Sequence, residues 1–156
     1  MWLRAILGVV YTAMAAGQVA SWSRMPAILD AYQVTHGRGS VVLAAALVVG
    51  ELVGGLWLLA RPRSHALAPV WVYTAVSAMW AVLGLQAQLR GLTVTNCGCF
   101  GVYLSQRLSW FVLAQDALLL IYAALMVRAA RRVRTAILPP PPAAALPACA
   151  RDEERS

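Results

Sequence analysis

The sequence contains no lysine and little charge of either sign. Only 12% of its 156 residues are charged, and only six residues are acidic, whereas about a quarter of a typical soluble domain is charged. All thirteen basic residues are arginine, and they flank apolar segments instead of forming one patch. The scarcity of charge excludes an ordinary soluble domain, and the scattered arginines argue against binding of nucleic acid.

Apolar residues are abundant instead. They make up 61% of the chain, and four apolar segments approach the roughly 20 residues that a helix needs to cross a bilayer. These segments cover about residues 5–22, 41–60, 67–87 and 108–127. Because backbone polar groups cannot stay unpaired in lipid, each segment is predicted to be helical. We therefore predict an all-α, four-helix bundle that comprises residues 1–134 and spans the lipid bilayer.

The first apolar segment has a second interpretation, because MWLR precedes it and small residues follow near Ala20, as in a secretory signal peptide. Trp22 at its far end suits a membrane interface, and the other three helices need a partner to pack against. Retention of the first helix is therefore the interpretation that we favour.

The arginines also predict the orientation of the bundle. If the N-terminus is cytoplasmic, seven arginines near the membrane lie on the cytoplasmic side: Arg4, Arg61, Arg63, Arg128, Arg131, Arg132 and Arg134. The other side then has four, spread over longer connections: Arg24, Arg38, Arg90 and Arg107. The positive-inside rule therefore predicts that both termini are cytoplasmic. In a bacterial plasma membrane this places Cys97 and Cys99 in an oxidising extracytoplasmic compartment.

The connections and the tail carry weaker signals. A short amphipathic helix is predicted around residues 26–33, with Pro26 near its start. Residues 135–156 are rich in proline and alanine and cannot build a core, so they are predicted to form a disordered cytoplasmic tail. Cys149 lies in this tail and is interpreted as an incidental thiol.

The segment T95-N96-C97-G98-C99-F100-G101 places two cysteines one residue apart. A structural zinc site needs four Cys or His ligands, and the predicted outer side adds only His36, since His65 lies on the other side. We therefore predict no zinc site. A copper(I) ion held by two thiolates stays open as an alternative, because soft ligands suit that ion.

A purely structural disulfide between these cysteines would contribute little. A bridge between positions i and i+2 closes almost no loop, and the geometry would be cramped, although Gly98 helps the turn to form. Strained, exposed disulfides tend to be exchangeable. Cys97 and Cys99 are therefore predicted to be a catalytic redox pair.

Two carboxyl groups fall within predicted membrane helices. Glu51 lies near the middle of the second helix and Asp116 near the middle of the fourth. With Gln18 and Gln115 at similar depth, they are predicted to face a shared polar pocket. An ionisable residue inside a membrane is a candidate for function, here proton handling or the anchoring of a quinone-like electron acceptor. The structural alternative is hydrogen bonding between helices.

Two motifs in this context resemble the MauE family of DoxX-like membrane proteins. The first is G50-E51-L52-V53-G54-G55 in the second helix, and the second is N96-C97-G98-C99-F100-G101 before S109-W110 at the start of the fourth. The resemblance covers roughly residues 1–130. It assigns the family motif to Cys97, Gly98, Cys99, Phe100 and Gly101, with Asn96 preceding them and Glu51 as the acid of the second helix.

The resemblance implies a membrane protein that supports redox maturation outside the cytoplasm. MauE proteins belong to methylamine utilisation, where they are needed to mature the disulfide-rich small subunit of methylamine dehydrogenase, together with a thioredoxin-like partner. The expected activity is thiol–disulfide exchange with such a partner, to the benefit of a disulfide-containing client. The alternatives are a non-enzymatic assembly factor and a metal or small-solute handler that uses the region of Glu51 and Asp116.

Overall fold

The computed structural model describes residues 2–63 and 66–137, and its helices account for most of them. They are α1 (Trp2–Ala20), α2 (Met25–Asp30), α3 (Arg38–Ala60), α4 (Ala68–Leu89) and α5 (Trp110–Ile137), with a 3-10 turn at Trp22–Arg24. Within the described ranges α1, α3, α4 and residues 110–132 of α5 are long and apolar enough to cross a membrane. The predicted all-α fold with four membrane helices is confirmed. His65, Cys149 and residues 138–156 of the predicted tail lie outside the described residues.

The helix ends differ from the ends of the apolar segments. The helix α3 begins at Arg38, directly after Gly37, whose positive φ of 58° is not helical. The helix α5 extends to Ile137, ten residues past the predicted end at residue 127. Apolarity marks the part of a helix that suits lipid, whereas arginine is a good helix former in water. The basic sequence after residue 127 therefore continues the helix without continuing the apolar segment.

The bundle is held together by contacts between successive long helices. The helix α1 packs against α3, α3 against α4, and α4 against α5. Tyr11 and Tyr73 form part of the core, with ring centroids 4.6 Å apart. The outward faces carry exposed apolar side chains such as Val42, Val82 and Ile121. Such faces suit lipid, so the chain is a multi-pass membrane protein.

Two connections lie at the same end of the bundle, which we call the cysteine end and define as residues 21–37 and 90–109. The Tyr32 hydroxyl donates a hydrogen bond to the Cys97 carbonyl (2.9 Å), and the Val102 N–H donates to the Ser21 hydroxyl (3.3 Å). At the opposite end, Arg4 donates to the carbonyl of Ala66 (3.1 Å). The short α3–α4 connection therefore lies on the other face of the membrane from the two cysteines.

Candidate functional site

Cys97 and Cys99 lie together at the cysteine end. Both are free thiols, and their sulfur atoms are 3.4 Å apart. Cys97 is only 3% exposed, whereas Cys99 is partly exposed. The separation allows a thiol–thiol hydrogen bond and is larger than the roughly 2.05 Å of a disulfide bond. The pair is thus a dithiol that a small movement would bring to bonding distance.

Asn96 shapes the turn that contains the two cysteines. Its Oδ1 accepts a hydrogen bond from the Gly98 N–H (3.0 Å), and its Nδ2 donates to the Gly101 carbonyl (2.9 Å). The turn is closed by the Gly101 N–H, which donates to the Gly98 carbonyl (3.0 Å). Gly98 has a φ of 83°, and a Cβ atom there would lie 2.9 Å from Cγ2 of Ile28. Both the backbone angle and the space therefore favour glycine between the cysteines.

The turn is also joined to the end of α1 at Gly17 and Ser21. A Cβ atom on Gly17 would lie 2.7 Å from the Phe100 carbonyl oxygen, so only glycine permits this approach. The Ser21 hydroxyl donates to the Gly17 carbonyl (2.8 Å) and accepts from Val102. Phe100 itself packs against the bundle core. The predicted motif residues Phe100 and Gly101 therefore dock the turn on α1.

Glu51 is fully buried and accepts two hydrogen bonds. Trp80 Nε1 donates to its Oε1 (2.7 Å), and Gln18 Nε2 donates to its Oε2 (2.8 Å). Gln18 Nε2 also donates to the Cys99 carbonyl oxygen (3.0 Å). A single amide group therefore links a carboxyl inside the bundle to the backbone of the cysteine turn.

The four polar residues predicted to share a pocket do not all meet. Gln18 and Glu51 are in direct contact. Asp116 is buried on α5, where its Oδ2 lies 3.7 Å from the position that a Cβ on Gly84 would take. Gln115 is exposed, because neighbouring residues of a helix point about 100° apart and Asp116 occupies the inward position. The polar site thus excludes Gln115.

Trp80 and Tyr32 belong to the site but were not predicted from the sequence. Trp80 is buried on α4, between Glu51 and the turn, and its ring lies 3.4 Å from the position of a Cβ on Gly98. Tyr32 is buried next to Cys97 and accepts at its own carbonyl a hydrogen bond from Gln86 (2.8 Å). Spacing along α4 could have placed Trp80 on the buried face, but no sequence signal pairs it with Glu51.

Comparison with known proteins shows the family to which the chain belongs. A family model described as methylamine utilisation protein MauE matches residues 1–129. The chain belongs to the MauE family. No curated protein and no solved structure matches it. The matched range includes both cysteines, Glu51 and most of α5, so the thiol turn and its buried support lie within the MauE domain. This identifies a membrane protein of the family associated with methylamine utilisation.

The two thiols of this MauE domain differ in acidity. The hydrogen bond from Cys99 lowers the pKa of Cys97 from 9.0 to about 7, although burial and the charge of Asp116 act in the opposite direction. The same interaction, together with burial, raises the pKa of Cys99. The largest cause of the lowered pKa is therefore the neighbouring thiol. Cys97 therefore carries the thiolate when the pair loses one proton.

Metal-binding side chains do not cluster in this part of the MauE domain. Among residues 2–63 and 66–137 there is no group of three or more His, Cys, Asp or Glu side chains placed to hold an ion. His36, the imidazole considered for zinc, is exposed, and its Nδ1 lies 4.0 Å from Oδ1 of Asp30. Within the described residues, the two thiols of the turn are therefore not joined by a third ligand of these types.

Proposed function

We propose that this MauE-family protein is a membrane thiol–disulfide exchange protein. Cys97 and Cys99 exchange with a thioredoxin-like partner outside the cytoplasm and so support the maturation of a disulfide-containing client in methylamine utilisation. The observation that carries the proposal is the pair of free sulfur atoms 3.4 Å apart in an otherwise fixed turn. A dithiol held at this distance can form and break a disulfide with little movement of the backbone.

The surroundings of the turn argue against a purely structural disulfide. Asn96, Gln18 and Tyr32 already hold the turn through hydrogen bonds. A bridge between residues two apart would restrict the unfolded chain very little. A Cys97–Cys99 disulfide would therefore add little to the stability of the fold. This favours a role in which the bond forms and breaks reversibly.

Exposure and acidity together suggest the course of the exchange. In the oxidised pair, a thiolate of the partner attacks the sulfur of Cys99, the more exposed of the two residues, and Cys97 leaves as a thiolate. A lower thiol pKa makes a better leaving group. The second thiolate of the partner then attacks its own sulfur in the mixed disulfide and releases Cys99. The partner gains a disulfide, and Cys97 and Cys99 gain the two electrons. A membrane quinone, the cofactor class considered from the sequence, would be a suitable acceptor for those electrons.

The distribution of charge supports an extracytoplasmic position for the cysteine end. Its segments carry three arginines, Arg24, Arg90 and Arg107, and Arg38 follows at the start of α3. The opposite end has Arg61 and Arg63 in a short connection and the basic end of α5, in addition to Arg4. The denser arginines at that end fit the cytoplasmic side of a bacterial plasma membrane.

Trapping of a mixed disulfide tests the proposal. The Cys97→Ser variant is expected to accumulate a mixed disulfide between Cys99 and a co-expressed thioredoxin-like protein that lacks its second cysteine, because neither chain then has a thiol that can resolve it. The Cys99→Ser variant should trap less, since Cys97 is buried. Non-reducing gels and mass spectrometry identify the linked peptides. The proposal fails if neither variant traps a partner, or if the double Cys→Ser variant still supports client maturation as an assembly factor would.

A further inference from the structure

The amide of Gln18 holds the thiol turn from inside the bundle. Its Nε2 donates to Oε2 of Glu51 (2.8 Å) and to the carbonyl oxygen of Cys99 (3.0 Å). Gln18 and Glu51 are both 0% exposed, so water does not compete for these bonds. The two hydrogens of one NH₂ group therefore connect α1 to both α3 and the turn.

The oxygen of the Gln18 amide shows that surrounding groups determine how the amide is oriented. Gln18 Oε1 is buried and has no hydrogen-bond partner in the part of the chain that the structure describes. An unpaired buried acceptor is costly. Turning the amide over would be worse, because Oε1 would then face the carbonyl oxygen of Cys99, which can only accept, and the Glu51 oxygen that accepts from Nε2. These two acceptors together fix the direction of the amide.

We propose that Glu51 and Gln18 are positioning residues for the Cys97–Cys99 pair. Glu51 orients the amide of Gln18, whose N–H then holds the Cys99 carbonyl and keeps the two sulfur atoms in the arrangement from which the disulfide closes. This inference rests on the proposed function, since it assigns a role in the same exchange. It gives the buried acid of the second membrane helix a specific task.

The turn needs such support because a glycine separates the cysteines. Gly98 permits a wide range of backbone angles, so the relative position of the sulfur atoms depends on how each cysteine is held. Tyr32 holds the carbonyl of Cys97, and Gln18 holds that of Cys99. Loss of either bond would leave one side of Gly98 free to move and would lower the effective concentration of one thiol for the other.

Replacement of Glu51 by glutamine separates positioning from packing. The Glu51→Gln side chain has nearly the same size, and its carbonyl oxygen can still accept from Trp80. Its NH₂ group would then face Gln18, which would have to present Oε1 and turn its own N–H away. The Cys99 carbonyl would lose its donor, although the core would stay filled.

The test is the equilibrium between dithiol and disulfide in the purified full-length chain in detergent, with Cys149→Ser as background. The protein is equilibrated with mixtures of reduced and oxidised glutathione, and the disulfide fraction is read from the mass added by a maleimide. Gln18→Leu and Glu51→Gln are each expected to reduce the equilibrium constant for disulfide formation by roughly three- to tenfold, as expected for loss of one hydrogen bond. Gln115→Leu, which removes an exposed amide, should change the constant by less than about twofold.

The outcomes distinguish positioning from structural support. If Gln18 and Glu51 only stabilise the bundle, Glu51→Gln would leave the constant unchanged and alter thermal stability alone. An unchanged or increased constant in Glu51→Gln therefore overturns the inference, as does an equal loss in Gln115→Leu. The assay needs no protein partner. Failure to trap a mixed disulfide would thus count against the proposed function and leave this result intact.

Discussion

At the scale of single residues, the chemistry of the site follows from the unequal positions of two identical side chains. Cys97 is the more buried residue, yet its pKa is lowered because the Cys99 thiol can donate a hydrogen bond to the Cys97 thiolate. Cys99 is more exposed, and its pKa is raised by the same contact. One cysteine is thus suited to meet a partner and the other to leave as a thiolate. Neither property could be assigned to one position from the C-G-C sequence alone.

The acidity of Cys97 gives a pH-dependent prediction. The thiolate is the reactive form, so alkylation of Cys97 by iodoacetamide is expected to speed up as the pH rises through about 7. In a Cys149→Ser background, Cys99→Ser keeps a hydroxyl donor beside Cys97, whereas Cys99→Ala removes it. We expect the midpoint of the Cys99→Ala variant to move upward toward 9.0, the ordinary value, with a rate at neutral pH lower by about tenfold. Peptide mass spectrometry over a pH series measures both rates.

Asp116 supplies the control for this measurement. Its negative charge raises the pKa of Cys97, so Asp116→Asn is expected to move the alkylation midpoint downward, opposite to Cys99→Ala. Equal midpoints for Cys99→Ser and Cys99→Ala would show that the neighbouring donor does not set the acidity of Cys97. The direction in which the alkylation midpoint moves therefore distinguishes the effect of the Cys99 hydrogen bond from the effect of the Asp116 charge.

The site residues that the sequence identifies belong to local patterns, whereas those it misses depend on contacts between distant parts of the chain. The spacing and residue types of Cys97, Gly98 and Cys99 identify them as candidate site residues. The position of Glu51 within an apolar segment does the same for that residue. Trp80 and Tyr32 acquire their roles only when separate elements meet, since each bonds to a residue at least 29 positions away. Gln115 was wrongly grouped with Asp116 because depth in the membrane was considered without the direction of the side chain.

At the scale of secondary-structure elements, two glycines set how closely α1 and α3 approach. A Cβ atom on Gly55 would lie 2.7 Å from Oγ1 and 2.9 Å from the backbone nitrogen of Thr12, and 3.1 Å from the carbonyl oxygen of Gly8. These are mainly backbone contacts that cannot move aside. Small residues at helix crossings are a common means of association in membranes. The sequence G50-E51-L52-V53-G54-G55 does not show which of its glycines makes the contact.

The matched pair Gly55→Ala and Gly54→Ala tests this crossing. The first is expected to lower the free energy of unfolding by about 1–3 kcal/mol, because the added methyl group overpacks the contact. The second should cost less than about 0.5 kcal/mol, since its Cβ would lie an ordinary 3.5 Å from Cγ1 of Val72. Thermal unfolding in detergent, followed by circular dichroism, compares the two. Equal losses would show that the close contact of Gly55 does not set the cost, and equal gains would mean that the helix propensity of alanine dominates at both positions.

The extent of α5 illustrates what hydropathy can predict about an element. The apolar segment ended at residue 127, but the helix continues to Ile137 through a basic sequence. Hydropathy reports transfer to lipid, whereas helix formation depends on backbone hydrogen bonds and on residue propensity. Sequence therefore predicted the number and type of the membrane helices well and the ends of α5 poorly.

At the scale of the whole molecule, the function depends on which side of the membrane holds the cysteine end. The two cysteines lie opposite the Arg4–Ala66 contact, and the arginine distribution predicts cytoplasmic termini. The proposed exchange requires this orientation, because thiols on the cytoplasmic side would meet a reducing pool and a different set of partners. Orientation therefore connects the charge of the chain to the chemistry of its thiols.

Site-directed labelling tests the orientation directly. In a variant whose three native cysteines are serine, Ser105→Cys places one thiol at an exposed position of the cysteine end. We expect a membrane-impermeant maleimide to label it in intact spheroplasts. A second variant that keeps only Cys149 should be labelled only after permeabilisation, since the tail is predicted to be cytoplasmic. The reverse pattern would place the thiols in the cytosol and remove the oxidising compartment that the exchange requires. Labelling of both in intact spheroplasts would contradict the membrane crossing of α5, because that single crossing puts the two reporters on opposite sides.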